Sequence, residues 1–71
     1  MYFEIIAFDG LKRVKENLDS INECNEFLNK MIAKSFEEFE IKSFDCNGLR
    51  KHKHCVYDYE TENLIKYEVA I

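Results

Sequence analysis

Four side chains lying close together in the sequence have the chemistry to bind or react: Cys46, His52, His54 and Cys55. Thiolates and imidazoles are the usual ligands of structural zinc, but such sites use paired ligands roughly two to four residues apart, aimed at one tetrahedral centre. On a strand, His52 and His54 share a face and Cys55 takes the other, so all four cannot converge without a bulge. No metal is expected. A Cys nucleophile would need a positioned His base and an oxyanion site, and Cys55 beside His54 supplies neither, because neighbours on a strand face apart. Cys24 falls on an apolar stripe and reads as a small core residue. Carboxylates are plentiful at Glu37, Glu38, Glu40, Asp58, Glu60 and Glu62, yet their spacing places no two of them in a pocket. With glycine only at positions 10 and 48 there is no phosphate-cradling loop. Neither an enzyme nor a cofactor is expected.

The elements that would carry these groups must fit in 71 residues, the size of one minimal domain spanning 1–71. A chain this short buries only about 60% of the surface it exposes unfolded, so its core must be dense. Six Phe and four Tyr supply much of that density, each ring being able to bury about 150–250 Å². Self-association would help further. Three Cys is an odd number, and no secretory signal accompanies them, so reduced thiols and a cytoplasmic location are expected rather than a disulfide framework. The apolar run Tyr2 to Phe8 contains Glu4 and is too short to cross a bilayer, so no membrane partner is expected. The abundance of Lys, Asn, Ile and Glu is the bias of AT-rich bacterial or phage genomes.

Tyr2 to Phe8 reads as a strand, closed by the turn signal Asp9-Gly10. After it Leu11, Val14, Leu18, Ile21, Cys24, Leu28, Met31 and Ile32 fall in an arc of roughly 160° at helical periodicity. One helix running to Lys34 would be about 36 Å long, against about 27 Å for an eight-residue strand. A competing start exists at Ser20, where Ser20 to Glu23 form a capping-box pattern; the unbroken apolar stripe favours continuity. Phe36 to Asp45 is a second strand, Asn47-Gly48 a hairpin turn, Lys53 to Tyr59 a third strand and Leu64 to Ile71 a fourth. The expected fold is α+β in the order β-α-β-β-β, with one long amphipathic helix on one face of a four-stranded, mostly antiparallel sheet.

Two deductions bear on function. A helix returning the chain to its start would make the second strand parallel to the first. The helix N-terminus, with Lys12, Arg13 and Lys15, would then meet the hairpin carrying Arg50, Lys51, His52 and Lys53 at one basic pole, suited to an anion. The neighbouring segments are acidic: residues 36–45 carry Glu37, Glu38, Glu40 and Asp45 against Lys42, and residues 56–68 carry Asp58, Glu60, Glu62 and Glu68 against Lys66.

The second deduction is an apolar surplus. Phe3, Ile5, Phe39, Ile41, Cys55, Tyr57, Ile65, Tyr67 and Val69 are assigned to the helix side, which leaves Ile6, Phe8, Phe36, Phe44, Val56 and Leu64 facing away. A bare patch of that kind marks an interface, and a homodimer through it or through an edge strand is expected. The tyrosines alternate too regularly to serve as stacking platforms for nucleic acid, and the net charge of -4 opposes a phosphate backbone. The leading expectation is a homodimeric protein-interaction module, an acidic inhibitor or regulator of phage or mobile-element type, contacting a basic partner through Glu37, Glu38, Glu40, Asp58, Glu60 and Glu62. The alternative is a small anion, nucleotide or nucleic-acid binder using the basic pole.

Overall fold

The computed structural model describes residues 1–69; Ile71, expected in the last strand, lies outside them. Five strands and one helix follow in the order β1 (Tyr2–Phe8), β2 (Arg13–Leu18), α1 (Ile21–Ala33), β3 (Glu38–Asp45), β4 (Gly48–Asp58) and β5 (Asn63–Glu68). All five strands form one antiparallel sheet in the spatial order β2-β1-β3-β4-β5. The α+β class and the single helix on the sheet match expectation. The strand count and the direction of the second expected strand do not.

The difference arises between Leu11 and Leu18. Val14 and Leu18 are four residues apart, a separation that satisfies both the helical period and the strand period of two. The tie is broken at both flanks. Gly10 takes φ +92°, where side chains are strained, and the Asp9 carboxylate accepts from the backbone N–H groups of Leu11 (2.9 Å) and Lys12 (2.6 Å). Those bonds close a tight turn, hold the Asp9 pKa below its usual value and fold β2 back onto β1 from Phe8↔Arg13 to Phe3↔Leu18. Leu11, assigned to the helix stripe, is left in solvent.

At Ser20 the capping box forms. The Ser20 hydroxyl accepts from the N–H of Glu23 at 3.2 Å, and the Glu23 carboxylate reaches back to the N–H of Asp19 at 2.8 Å. The helix therefore starts at Ile21, after a break at Asp19.

Its other end is a Schellman motif: the N–H of Phe36 bonds the carbonyl of Met31 at 3.1 Å, and that of Ser35 bonds Ile32 at 3.0 Å. The motif needs a left-handed residue, and Ser35 adopts φ +70°. It also turns Phe36 inward against Met31, into the core rather than onto the bare face assigned to it. A left-handed non-glycine residue costs on the order of 1 kcal/mol. Ser35→Gly is therefore expected to raise stability by about that much, measured as an upward shift of the urea midpoint at unchanged slope.

The core lies between the helix and the sheet. Cys24, Phe27, Leu28 and Met31 of α1 pack on Ile5 and Ala7 of β1, Phe39 of β3 and Cys55 of β4, with Phe36 closing the end. Close backbone approach of the helix is to β1 and β2, so the helix-side surface of β4 and β5 is only partly covered. Tyr59, in the β4–β5 turn, ties that far half back: its single hydroxyl proton is shared between the carbonyl of Phe36 at 2.7 Å and that of Ile32 at 3.0 Å. Partial burial, with Glu37 nearby, raises the phenol's pKa.

Candidate interaction surfaces

The sheet has two ends. β1 runs from Tyr2 at the lower end to Phe8 at the upper, and the antiparallel registers put Arg13, Glu38, Asp58 and Asn63 at the upper end and Leu18, Phe44 and Gly48 at the lower, with Glu68 level with Lys53, Ile41 and Ile5 midway. This corrects the expected basic pole. With β1 and β3 antiparallel and α1 starting after Leu18, Lys12 and Arg13 lie at the upper end of β2, while Arg50 and Lys51 lie at the lower end of β4. Lys15 stands midway along β2, 3.5 Å from Glu4, and Arg50 is held 3.2 Å from Asp45. Two pairs of cations thus sit at opposite ends of the molecule, and no single anion could meet both.

The acidic residues fare differently. Glu37 and Glu38 open β3, Asp58 closes β4, and Glu60 and Glu62 lie in the turn to β5, all at the upper end; Glu40 is one pair further in. The hydrogen bond from the N–H of Tyr57 to the carbonyl of Glu37 (2.8 Å) links the two acidic segments. They gather at the β3–β4–β5 corner, across the sheet from Lys12 and Arg13.

The sheet face away from the helix has no covering element among the described residues. Register assigns it Tyr2, Glu4, Ile6 and Phe8 of β1, Lys15 of β2, Glu40, Lys42 and Phe44 of β3, His52, His54 and Val56 of β4, and Ile65 and Tyr67 of β5. Four of the six residues expected on the bare face are there: Ile6, Phe8, Phe44 and Val56. Leu64 instead pairs with Tyr57 and packs on the core. Conversely Ile65, Tyr67 and Val69, expected on the helix side, face away from it. The four-residue turn Tyr59–Glu62 sets this parity by pairing Val56 with Ile65.

This open face is graded. Its centre is polar, with His52 Nε2 3.7 Å from Glu40 and His54 Nε2 4.0 Å from Glu38. Ile6, flanked across the strands by Lys15 and Glu40, is only 4% exposed. Tyr2 stacks on Phe44 at 4.9 Å between ring centroids, and the Arg13 guanidinium lies 5.9 Å above the Phe8 ring. Besides Tyr2 at the lower end of β1, 47% exposed, the apolar exposure of this face lies at the β5 margin, where Ile65, Tyr67 and Val69 are 41%, 54% and 38% exposed.

The two edges of the sheet differ accordingly. The β2 edge shows Arg13, Lys15 and Asn17 on this face, the charged pattern that deters pairing with another chain. At the β5 edge, the same face shows the three apolar side chains.

On the helix side, a cavity of about 390 Å³ opens between the first half of α1 and the uncovered part of β4 and β5. Apolar Phe3, Cys24, Leu28 and Ile41 line one part, and Arg50, Lys51, Lys53 and Lys66 another. Lys66 stands beside Lys53 through its strand neighbours, a proximity that sequence distance hides and the β4–β5 register reveals.

No group of three or more His, Cys, Asp or Glu side chains among the described residues could hold a metal. His52 and His54 face away from the helix, Cys55 is buried on the opposite side, and Cys46 is exposed in the β3–β4 turn. No helix among the described residues is long and apolar enough to cross a membrane. The chain matches no protein-family model, no curated protein and no solved structure.

Proposed function

We propose that this chain is a non-enzymatic protein-interaction module, homodimeric, which uses its acidic corner to occupy a basic surface of another macromolecule as an inhibitor or regulator. The observation that carries the reading is the exposed row of Ile65 and Tyr67 in β5 and Val69 directly after it, on an edge strand whose outer backbone groups have no partner among the described residues. A strand of this kind is a template for pairing, and the loss of apolar contact with water on pairing would supplement a core that is small for a domain. The partner's charge follows from Asp58, Glu60 and Glu62, which lead directly into β5 and stand beside Glu37 and Glu38.

A second reading, binding of an anion or nucleic acid, is favoured by Arg50, Lys51, Lys53 and Lys66 along the helix-side cavity. One experiment separates the two. The chain is immobilised and challenged with a lysate in three forms: wild type, Glu37→Lys with Glu60→Lys and Glu62→Lys, and Lys51→Gln with Lys53→Gln. The interaction reading expects a basic protein retained by the wild type and the Gln variant, released by added salt, and lost from the Lys variant. Retention of nucleic acid that is lost only in the Gln variant would overturn it in favour of the second reading.

A further inference from the structure

The β5 edge, which pairs with no other strand among the described residues, has a geometry that selects its own partner. The N–H of Val69 bonds the carbonyl of His52 at 2.9 Å. Amide direction alternates along an antiparallel strand, so the N–H groups of Tyr67 and Ile65 also point at β4. Those of Leu64, Lys66 and Glu68 point outward, away from the sheet. The free hydrogen-bonding groups therefore belong to residues whose side chains lie on the helix side, while the apolar row faces the other way.

A second copy adding along this edge about a two-fold axis perpendicular to the sheet keeps the two open faces on the same side. Paired residues must then share a face, so the axis passes through a residue rather than between two. An axis at Asn63 or Leu64 would run the pairing into the turn at Glu62, which has φ +57° and is not extended, so four centres remain. An axis at Lys66 sets two ammonium groups against each other, and one at Glu68 does the same with two carboxylates; like charges directly opposite are destabilising. At Ile65, the axis sets Lys66 against Leu64. The axis at Tyr67 alone puts Lys66 of each copy opposite Glu68 of the other, with Ile65 opposite Val69 and the two Tyr67 rings side by side.

In that register Lys66 and Glu68 of the two copies form pairs that exchange both backbone bonds. Tyr67 and its counterpart form the non-hydrogen-bonded pair, where Cα atoms approach to about 4.5 Å and side chains are closest. Backbone direction, charge and apolar contact thus agree on one arrangement.

We infer that the chain dimerises by antiparallel pairing of β5 with β5 of a second copy, centred on Tyr67, so that the five-stranded sheets of the two copies become one continuous sheet. This inference rests on the self-association part of the function proposed above and goes beyond it by fixing the edge, the symmetry and the register.

Charge exchange tests it. Wild type is expected to sediment at twice 8.5 kDa. Lys66→Glu alone sets the introduced carboxylate against Glu68 at both symmetry-related contacts, and Glu68→Lys alone sets the introduced ammonium against Lys66; each is expected to weaken the dimer by about tenfold or more. The double variant Lys66→Glu with Glu68→Lys restores opposite charges and should dimerise like the wild type. An equimolar mixture of the two single variants should form the heterodimer, since one copy then carries both acids and the other both bases. Far-UV circular dichroism confirms that each variant is folded, these side chains being exposed. A wild type that remains monomeric at high concentration would overturn both the inference and the self-association reading. Dimerisation unaffected by either single variant, or not restored in the double variant, would overturn the register alone.

Discussion

Phe39→Ala is expected to leave a large part of the chain unfolded at 25 °C. Phe39 is 0% exposed and sits at the crossing point of the structure, paired with Ala7 on one side and Cys55 on the other beneath the apolar stripe of α1. Removing a buried phenyl ring loses its transfer free energy and leaves a cavity that neighbours on two paired strands cannot collapse to fill. Such changes cost about 3–5 kcal/mol. At about 0.05–0.15 kcal/mol per residue, the whole domain has on the order of 4–10 kcal/mol, so this one substitution removes a large share of it. Urea titration monitored by circular dichroism measures the loss. Leu11→Ala, in a turn and 97% exposed, is the control and should change stability by less than about 0.5 kcal/mol. A Phe39→Ala variant within about 1 kcal/mol of wild type would contradict the placement of the core.

The three thiols should separate sharply in reactivity. Cys46 is exposed in the β3–β4 turn, whereas Cys24 and Cys55 are buried. Burial pushes the pKa of both upward; Glu23 adds to the effect at Cys24, and Lys66 and Lys53 partly offset it at Cys55. A disulfide reagent at neutral pH is expected to label one thiol per chain, Cys46, without any opening of the structure. The other two must wait for an opening of the structure, which slows them by on the order of a thousandfold at a stability of about 4 kcal/mol. Mass spectrometry of partly labelled chain identifies the fast site; rapid labelling at Cys55 would refute the packing described.

The same two thiols predict a loss of stability in alkali. Their folded-state pKa values lie above the ordinary value of about 8.5, so the unfolded chain releases these protons first. Stability is therefore complete below that pH and falls as pH rises toward the folded values. Tyr59, also shifted upward, acts with the same sign at higher pH. The urea midpoint should decline above about pH 9.

Much of this fold was legible from residues alone. β1 and the Asn47-Gly48 hairpin carry alternation and turn chemistry that admit one interpretation, and Gly48 takes φ +105°; the strand expected at Lys53–Tyr59 instead spans Gly48–Asp58, because the tight turn pairs Asp45 directly with Gly48. The region from Leu11 to Leu18 was ambiguous for a physical reason. A spacing of four supports a helix and a strand equally, and the choice is made by short polar side chains, Asp9 and Ser20, bonding the backbone at its two flanks. The apolar stripe runs through Asp19 without a change of phase and so conceals the boundary that the capping box marks.

The candidate site divides in the same way. The acidic residues were named from charge alone; that they gather at one corner follows from the start of β3 and the end of β4 lying at the same end of the antiparallel meander. The basic pole depended on the direction of β3 relative to β1, a long-range property that no local pattern encodes. The face occupied by Ile65, Tyr67 and Val69 depended on a single turn length. An apolar stripe normally faces the core, so only the register could show that this one does not.

The order of strands also says how the chain must come together. β1, β2 and α1 are joined by short turns, as are β3, β4 and β5, and each group can assemble from neighbours in sequence. The backbone ladder between the two groups is a single seam, from Tyr2↔Phe44 to Phe8↔Glu38. Closing it brings together residues separated by an entire hairpin and helix, so loop-closure entropy is concentrated at this one docking event. Substitutions along the β1–β3 seam are therefore expected to slow folding, and those at the outer strands chiefly to speed unfolding, a difference that folding and unfolding rates measured against denaturant would read out.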